Sequence, residues 1–565
     1  MSASLLVIGI VVVFLMAHYL YGWRIGKYFQ LSDSKPTPAE KYNDGFDFVP
    51  TKKPILLAQH FASIAAAGPV VGPIAAALAF GWGPTLLWIV LGCVFIGACH
   101  DLSSLLASVR HDAKSLPEIA KQYFGTTGFR LTLAFIWLCL VYVIIAFTDV
   151  TARQFVAKEE WGGVLHDIGG GVATSSFLYL LLSVLMGLAL TKLKISLGMA
   201  TAVFFPLLAA IIVLGQKLPL VLPVADPVAA WSILILLYCA LASVLPMWLL
   251  LQPRGYLGGY FLYIIVVVGI LGLCFGGFDI QYPLSKGFYA ANGDALYPFL
   301  FITVACGACS GFHGLVCSGT TSKQLGKESH APLVGYGGML LEGLVAVLAL
   351  ATVMIWPPGH ATLSKSPSEI YATGIAHFTR SILGLPIEWG ITFGMLAFAT
   401  FVYDTLDVAT RLGRYLIEEM LGLRGWLGRA VAISATLALP FLYVFASPAF
   451  VVAGRQVPLW QAIWPLFGSS NQLLAGLTLL LVAVWLRHQK KWPAWLLIPA
   501  AFMLSTSSYA LVLQLKKSVT QLMAVFNPAA MLNAVISGAL LLVAVGIIIS
   551  GLRSLFPKNE GISND

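Results

Sequence analysis

Several residues of this chain place charge or a titratable ring inside long apolar runs. His100 and Asp101 end one run, Asp149 and Arg153 another, and Glu342 stands in a third. Thr400, Asp404, Asp407 and Arg411 share a fourth, where i,i+4 and i,i+3 spacing puts Thr400, Asp404 and Asp407 on one helix face. Ionisable groups within a membrane segment mark an ion, proton or substrate path unless a partner neutralises them. Asp404 has no basic residue within a turn, so it reads as a proton or cation site, with Thr400, Asp101 and Asp407 as further coupling candidates. Asp149–Arg153 and Asp407–Arg411, both i,i+4, read as helix-surface ion pairs or gates, and Glu342 is grouped with them. The ordinary pKa of a histidine lies near neutrality and suits a proton relay or an anion contact, which makes His60 and His313 candidates.

The elements that must hold these groups are broken helices. Gln59-His-Phe-Ala-Ser-Ile-Ala-Ala-Ala-Gly-Pro-Val-Val-Gly-Pro73 lies in an apolar run long enough to cross a bilayer, yet two Gly-Pro pairs interrupt it. Proline removes a backbone donor and clashes with the preceding turn, and glycine loses the most entropy in a helix. Groups freed by such a break cannot face lipid, and secondary transporters use them to build a midplane site. A second such segment, about 245 residues on, is Ala305-Cys-Gly-Ala-Cys-Ser-Gly-Phe-His-Gly-Leu-Val-Cys-Ser-Gly-Thr-Thr321. N–H groups exposed at Gly68–Gly72 and Gly311–Gly314 are natural grips for a carboxylate, with His60, Ser63, Ser310 and His313 beside them. Trp464-Pro-Leu-Phe-Gly-Ser-Ser-Asn-Gln472 reads as a third interrupted span. Cys306 and Cys309 have CxxC spacing without a second pair, so they read as packing residues, and no metal or cofactor motif emerges.

With 59% hydrophobic and 10% charged residues and mean hydropathy +0.88, the chain reads as an all-α polytopic membrane protein. Soluble domains carry roughly a quarter charged residues. About 15 runs of span length can be marked, among them 55–80, 296–320 and 460–486. The net charge of +9 reflects a positive-inside bias rather than a nucleic-acid stripe, because 24 of the 33 Lys and Arg fall on alternate connections. That bias puts the N-terminus outside and the C-terminus in the cytoplasm. The first run lacks a basic leader and a small-residue cleavage site, and reads as a retained helix. Residues 115–125 read as a short interfacial helix with Pro117 in its first turn and Gly125 closing it. All eight cysteines fall in apolar spans, which argues against an extracellular disulfide framework.

Asp149-Val-Thr-Ala-Arg153 and Asp407-Val-Ala-Thr-Arg411 are near permutations 258 positions apart, and the two broken segments share a similar offset. Seven spans separate the members of each pair, so the repeat is inverted. On these broken segments, Asp404-Thr-Leu-Asp-Val-Ala-Thr-Arg411 and Trp464–Gln472, the chain resembles the carbon starvation protein A family over about residues 50–485. The resemblance implies a LeuT-like core of the amino acid–polyamine–organocation superfamily, two inverted five-helix repeats over 55–214 and 296–486. Around them lie a first helix and cytoplasmic loop (1–54), connecting helices (215–295), and C-terminal helices with a tail (487–565). It also implies a cytoplasmic, or inner, membrane transporter of pyruvate, by proton symport, or of short peptides, acting in carbon starvation. One departure stands out. Gln59-His60 occupies a place where the family pattern has paired histidines, so no role needing both is carried over.

The expected function is therefore proton-coupled uptake of pyruvate or a short peptide. Sodium, held by Thr400 and the freed carbonyls of the second span, is the alternative coupling ion. A nutrient sensor built on a transporter fold is the alternative of another class, although little length outside the spans is left for a signalling domain. No nucleophile–base spacing points to an enzyme. The expected partners are a small-molecule substrate, a coupling proton and the bilayer, with no nucleic acid; the residues leave the oligomeric state open.

Overall fold

All but two of the apolar runs form a continuous helix of the length a bilayer requires, and those two are the broken segments. The computed structural model describes residues 2–556 except 46, 162–163, 447–449, 453–454 and 525–527. Thirteen helices are long and apolar enough to span, and a fourteenth crossing is a pair bent by 42°. In chain order the elements begin with α1 (Ala3–Phe29), the bent pair α2 (Lys53–Ile64) and α3 (Gly68–Phe80), α4 (Trp82–Arg110) and α5 (Leu116–Gln154). A hairpin of β1 (Lys158–Trp161) and β2 (Val164–Asp167) leads into α6 (Ile168–Thr191), α7 (Leu197–Lys217), α8 (Pro227–Val244) and α9 (Leu251–Phe275).

The second half opens with α10 (Leu296–Thr303), a single turn Ala305–Ala308, and α11 (Gly311–Val316), which runs on through Cys317–Thr321. No single helix of this interrupted segment is long enough to span, and it stands outside the fourteen candidate crossings found among the described residues. Then follow α12 (Glu328–Met354), α13 (Pro367–Leu383), α14 (Ile387–Leu421) and α15 (Gly425–Ala446). A second hairpin, β3 (Phe450–Val452) and β4 (Arg455–Val457), precedes α16 (Leu459–His488), α17 (Ala494–Ala524) and α18 (Pro528–Leu555). The two halves repeat the same plan: a broken span, a hairpin on one face, and long central helices. Of these, α14 and α16 are almost wholly buried, whereas α7 presents most of its length to the surroundings.

The basic connections collect on one face. There Arg110 pairs with Glu328 at 2.7 Å, Lys41 with Asp112 at 3.1 Å, and Ser329 donates to Asp33. The segment 30–52 crosses this face as a strap, bonded along its end by Val49 N to Lys323 O (3.2 Å) and Thr51 N to Gln324 O (2.9 Å). Its Asp47 accepts from Tyr415, and its Phe48 packs with Tyr415 around Lys323, where burial pushes the ammonium below its ordinary pKa. On the opposite face lie both hairpins and α13. That helix starts in a Ser366–Glu369 capping box, ends at Gly384 with φ 63°, and keeps both ends on this side, so it does not cross.

The expected interfacial helix is present as the first turns of α5, with Ser115 capping Glu118 N and Gly125 (φ 73°) marking the bend into the membrane. The α2–α3 break follows from its prolines. Pro69 has no N–H for Ala65 O, Pro73 none for Pro69 O, and the chain departs from helix at Ala65. The second break lies at Val304, Cys309 and Ser310, the last two extended. The third expected interruption is absent, because α16 runs unbroken through Pro465. Gly468 serves packing instead: a Cβ there would sit 2.1 Å from Ile302 O.

The two breaks cross in contact. A Cβ on Gly68 would lie 2.3 Å from that of Cys306, and one on Gly72 would lie 2.5 Å from Thr303 O. Seven of the eight free cysteines are buried, and Cys274 on α9 is half-buried.

Candidate functional site

Asp101, His313 and Glu342 meet although they come from three helices. On α4, Asp101 accepts from His100 Nδ1 at 2.8 Å and from His313 Nδ1 at 2.9 Å. His313 Nε2, on α11, lies 3.0 Å from Glu342 Oε2 on α12, without hydrogen-bond alignment. All four side chains are fully buried. Small residues make the approach possible: a Cβ on Gly314 would stand 3.1 Å from the His100 ring, and one on Gly338 2.9 Å from the ring of His60. His60 Nδ1 is bonded to Thr321 Oγ1 at 2.9 Å, which ties α2 to the end of the second broken span. Glu342, expected as a gate, thus joins the histidines.

A second ionic set lies on the other side of α2. The expectation that Asp404 is unpaired does not hold, because Arg254 of α9 contacts both Asp404 and Asp407 and is itself fully buried. Tyr238 Oη donates to Asp407 at 2.8 Å. A basic partner from a distant helix thus supplies what the local sequence lacks. Asp407–Arg411 is not a pair either. Arg411 instead donates to Ala242 O (2.9 Å) and Leu245 O (2.7 Å), carbonyls at the end of α8 where a cation is favoured. Asp149–Arg153 forms at 3.1 Å, and Asp149 also accepts from Trp460 N. Thr400 gives its hydroxyl to Leu396 O, so it is spent within its own helix; Thr405 shares its hydroxyl between Phe401 O of its own helix and a freed carbonyl, Ser63 O, each at 3.2 Å.

The expected carboxylate grips are closed in this structure. Gly68 and Gly72 are covered by the other break, and Gly311 abuts the α16 backbone at Asn471 O. Asn471 Oδ1 takes the Phe312 N–H at 2.9 Å, and its amide also bonds Ser310 Oγ and Cys306 Sγ. Ser63 Oγ is bonded to Gln59 O. Replacing Asn471 by alanine leaves the α11 N-terminus with an orphan donor. Destabilisation of about 1–3 kcal/mol is expected, read as a lower thermal midpoint of the purified protein.

None of the eight expected substrate residues lines the large cavity, a vestibule of about 1240 Å³ open on the face opposite the strap. Its walls include Val71 of α3, Gln154 of α5, Thr303 of α10, Phe398 of α14 and Trp464 of α16, with Arg153 near the rim. The vestibule therefore reaches the turn above the breaks, whereas the two ionic sets lie below them. Among the described residues no three His, Cys, Asp or Glu side chains are placed to hold a metal ion.

Sequence reasoning missed Arg254, Tyr238 and Asn471. Arg254 reads from the sequence as part of a basic connection, yet it stands within the first turn of a 25-residue apolar helix. An arginine on the helical side of such a boundary was the available signal.

A family model described as carbon starvation protein CstA matches residues 2–370 and 359–510. The chain is 33% identical to the peptide transporter CstA of Escherichia coli (strain K12), over 89% of this chain and 80% of that one. It is 30% identical to the pyruvate/proton symporter BtsT of the same strain, over 91% and 82% respectively. Among solved structures it is similar to a manganese transporter of Eremococcus coleocola, with TM-score 0.49 and 13% identity, covering 91% of this chain and 98% of that one.

Proposed function

The chain belongs to the carbon starvation protein CstA family, and from that premise we propose that it is a secondary active transporter that takes up pyruvate or short peptides with a proton. In this reading the membrane is the cytoplasmic one and the basic face is cytoplasmic, which puts the N-terminus outside and the C-terminus inside. The observation that carries it is the vestibule: a cavity of about 1240 Å³ opens on the face opposite the strap, the strap side has only a smaller cavity of about 380 Å³ lined by Pro50, Thr51 and Trp248, and buried acids and histidines lie between. Such an arrangement is one half of an alternating-access cycle, with the substrate side open and the cytoplasmic side shut. Opening the cytoplasmic side requires α2 to leave the His60–Thr321 and Thr405–Ser63 bonds.

Uptake of labelled pyruvate and of a dipeptide into proteoliposomes tests this reading. An imposed inward proton gradient is expected to raise accumulation of one of them several-fold, with sodium making no difference. No accumulation of either solute by well-folded protein rejects the proposal. Sodium coupling is the second reading, supported by the Thr405 hydroxyl beside the freed Ser63 carbonyl. It predicts that a sodium gradient substitutes for the proton gradient and that Thr405→Val abolishes that response.

A further inference from the structure

The two ionic sets that flank α2 differ in what can neutralise them. Asp404 and Asp407 share a fixed cation, the Arg254 guanidinium, and Asp407 has Tyr238 as well. Arginine does not deprotonate in proteins, so this set holds its cation throughout a cycle.

Among the described residues no Lys or Arg pairs with the Asp101–His313–Glu342 string. The titratable groups around it among the described residues are His100 beside Asp101, His60 of α2 nearby on the broken helix, and the thiols of Cys93, Cys99, Cys306, Cys309 and Cys317, the last bonded to Asp101 O. With Asp101 ionised and one proton between His313 and Glu342, the string carries one net negative charge. Only a second proton can cancel it. An unneutralised charge away from water is strongly unfavourable, so loading and unloading this string are events a conformational cycle can be tied to.

Geometry also chooses the residue that takes the proton. Asp101 accepts two hydrogen bonds, one from each neighbouring imidazole, so both of its oxygens are already partnered. Neither oxygen of Glu342 has a hydrogen-bond partner among the described residues; the one ion-pair partner found for it among them, His313 Nε2, lies 3.0 Å away off the bonding line. A buried carboxyl so placed gains most from an added proton.

We propose that Glu342 is the residue on which the coupling proton resides, that His313 links it to Asp101, and that Arg254 with Asp404 and Asp407 is a standing ion pair outside the proton path. The proton adds to a Glu342 carboxylate oxygen and leaves from it, and only that O–H bond forms or breaks. The proposal rests on the proton-coupled reading above, and its test separates the two.

The full chain in lipid is examined by infrared difference spectroscopy between about pH 8 and about pH 5. The wild type is expected to gain a protonated-carboxyl C=O band that is absent in Glu342→Gln, displaced in Glu342→Asp, and retained in Asp404→Asn. A band that persists in Glu342→Gln, or is lost in Asp404→Asn, overturns the assignment. Should Glu342→Gln fail to fold, Glu342→Asp decides, because an undisplaced band there places the proton elsewhere. In proteoliposomes Glu342→Gln is expected to flatten the pH profile of uptake, and a wild-type profile in that variant also overturns the proposal. If the band behaves as stated but no solute is carried, the proton site stands and the transport reading alone falls.

Discussion

Replacing Arg254 by glutamine is expected to lower stability by about 3–5 kcal/mol, because it strands two buried carboxylates without their cation. Arg254, Asp404 and Asp407 are all buried in the half of the protein next to the strap. Removing the guanidinium also frees Tyr238 from its arginine contact and loosens the junction of α8, α9 and α14. The thermal midpoint of the purified protein should fall sharply, with uptake falling in parallel. Arg254→Lys keeps the charge but not the planar fork that reaches two carboxylates at once, so an intermediate loss is expected. The triple change Arg254→Gln, Asp404→Asn, Asp407→Asn removes all three charges together. It should recover much of the stability, since well-packed neutral groups often replace a buried ion pair without penalty. A single Arg254→Gln variant that melts with the wild type would mean that the three charges do not hold these helices together.

The second large effect is expected at Gly72. Its missing side chain lets α3 lie directly on α10, and an alanine Cβ would stand 2.5 Å from Thr303 O and 3.2 Å from Val304 Cα. Both are backbone atoms next to the second break, so relief requires the two broken spans to move apart. Overpacking of this kind destabilises by about 1–3 kcal/mol, and here it falls on the contact between the two broken spans. Gly72→Ala is expected to reduce uptake at least about tenfold while the protein still inserts and can be purified. Gly538→Ala on α18 is the matched control. Nothing lies within 4 Å of its added methyl, so uptake should be unchanged and stability the same or slightly higher. Equal uptake by both variants would show that the contact between the breaks does not govern transport.

How far the sequence predicted these features depends on how local each one is. The spans, the two breaks, the interfacial helix before Gly125 and the sidedness of the basic connections all follow from neighbours in sequence, and each appears in the structure. Asp149–Arg153 is a pair within one helix and forms as spacing implies. Asp407–Arg411 has the same spacing and does not form, because Arg254, distant in sequence, offers Asp407 a closer cation and the α8 carbonyls offer Arg411 acceptors. Spacing along one helix cannot weigh such competitors. Glu342 shows the same limit: alone in its span it reads as an isolated charge, and only the packing of α4, α11 and α12 brings His313 to it. Pro465 fails as a signal for a different reason. A proline inside a helix removes one bond but does not force a break, and this helix continues through Pro465 with Gly468 packed close against Ile302.

Because seven native thiols are sealed inside the helices and Cys274 is half-buried, the chain is close to a ready background for site-directed labelling. With Cys274→Ala, a cysteine introduced on the vestibule wall and another beneath the strap could carry a spin label or fluorophore with little competing signal. Their alternating reactivity would then time the swing of the transporter directly, in a protein that keeps its native interior.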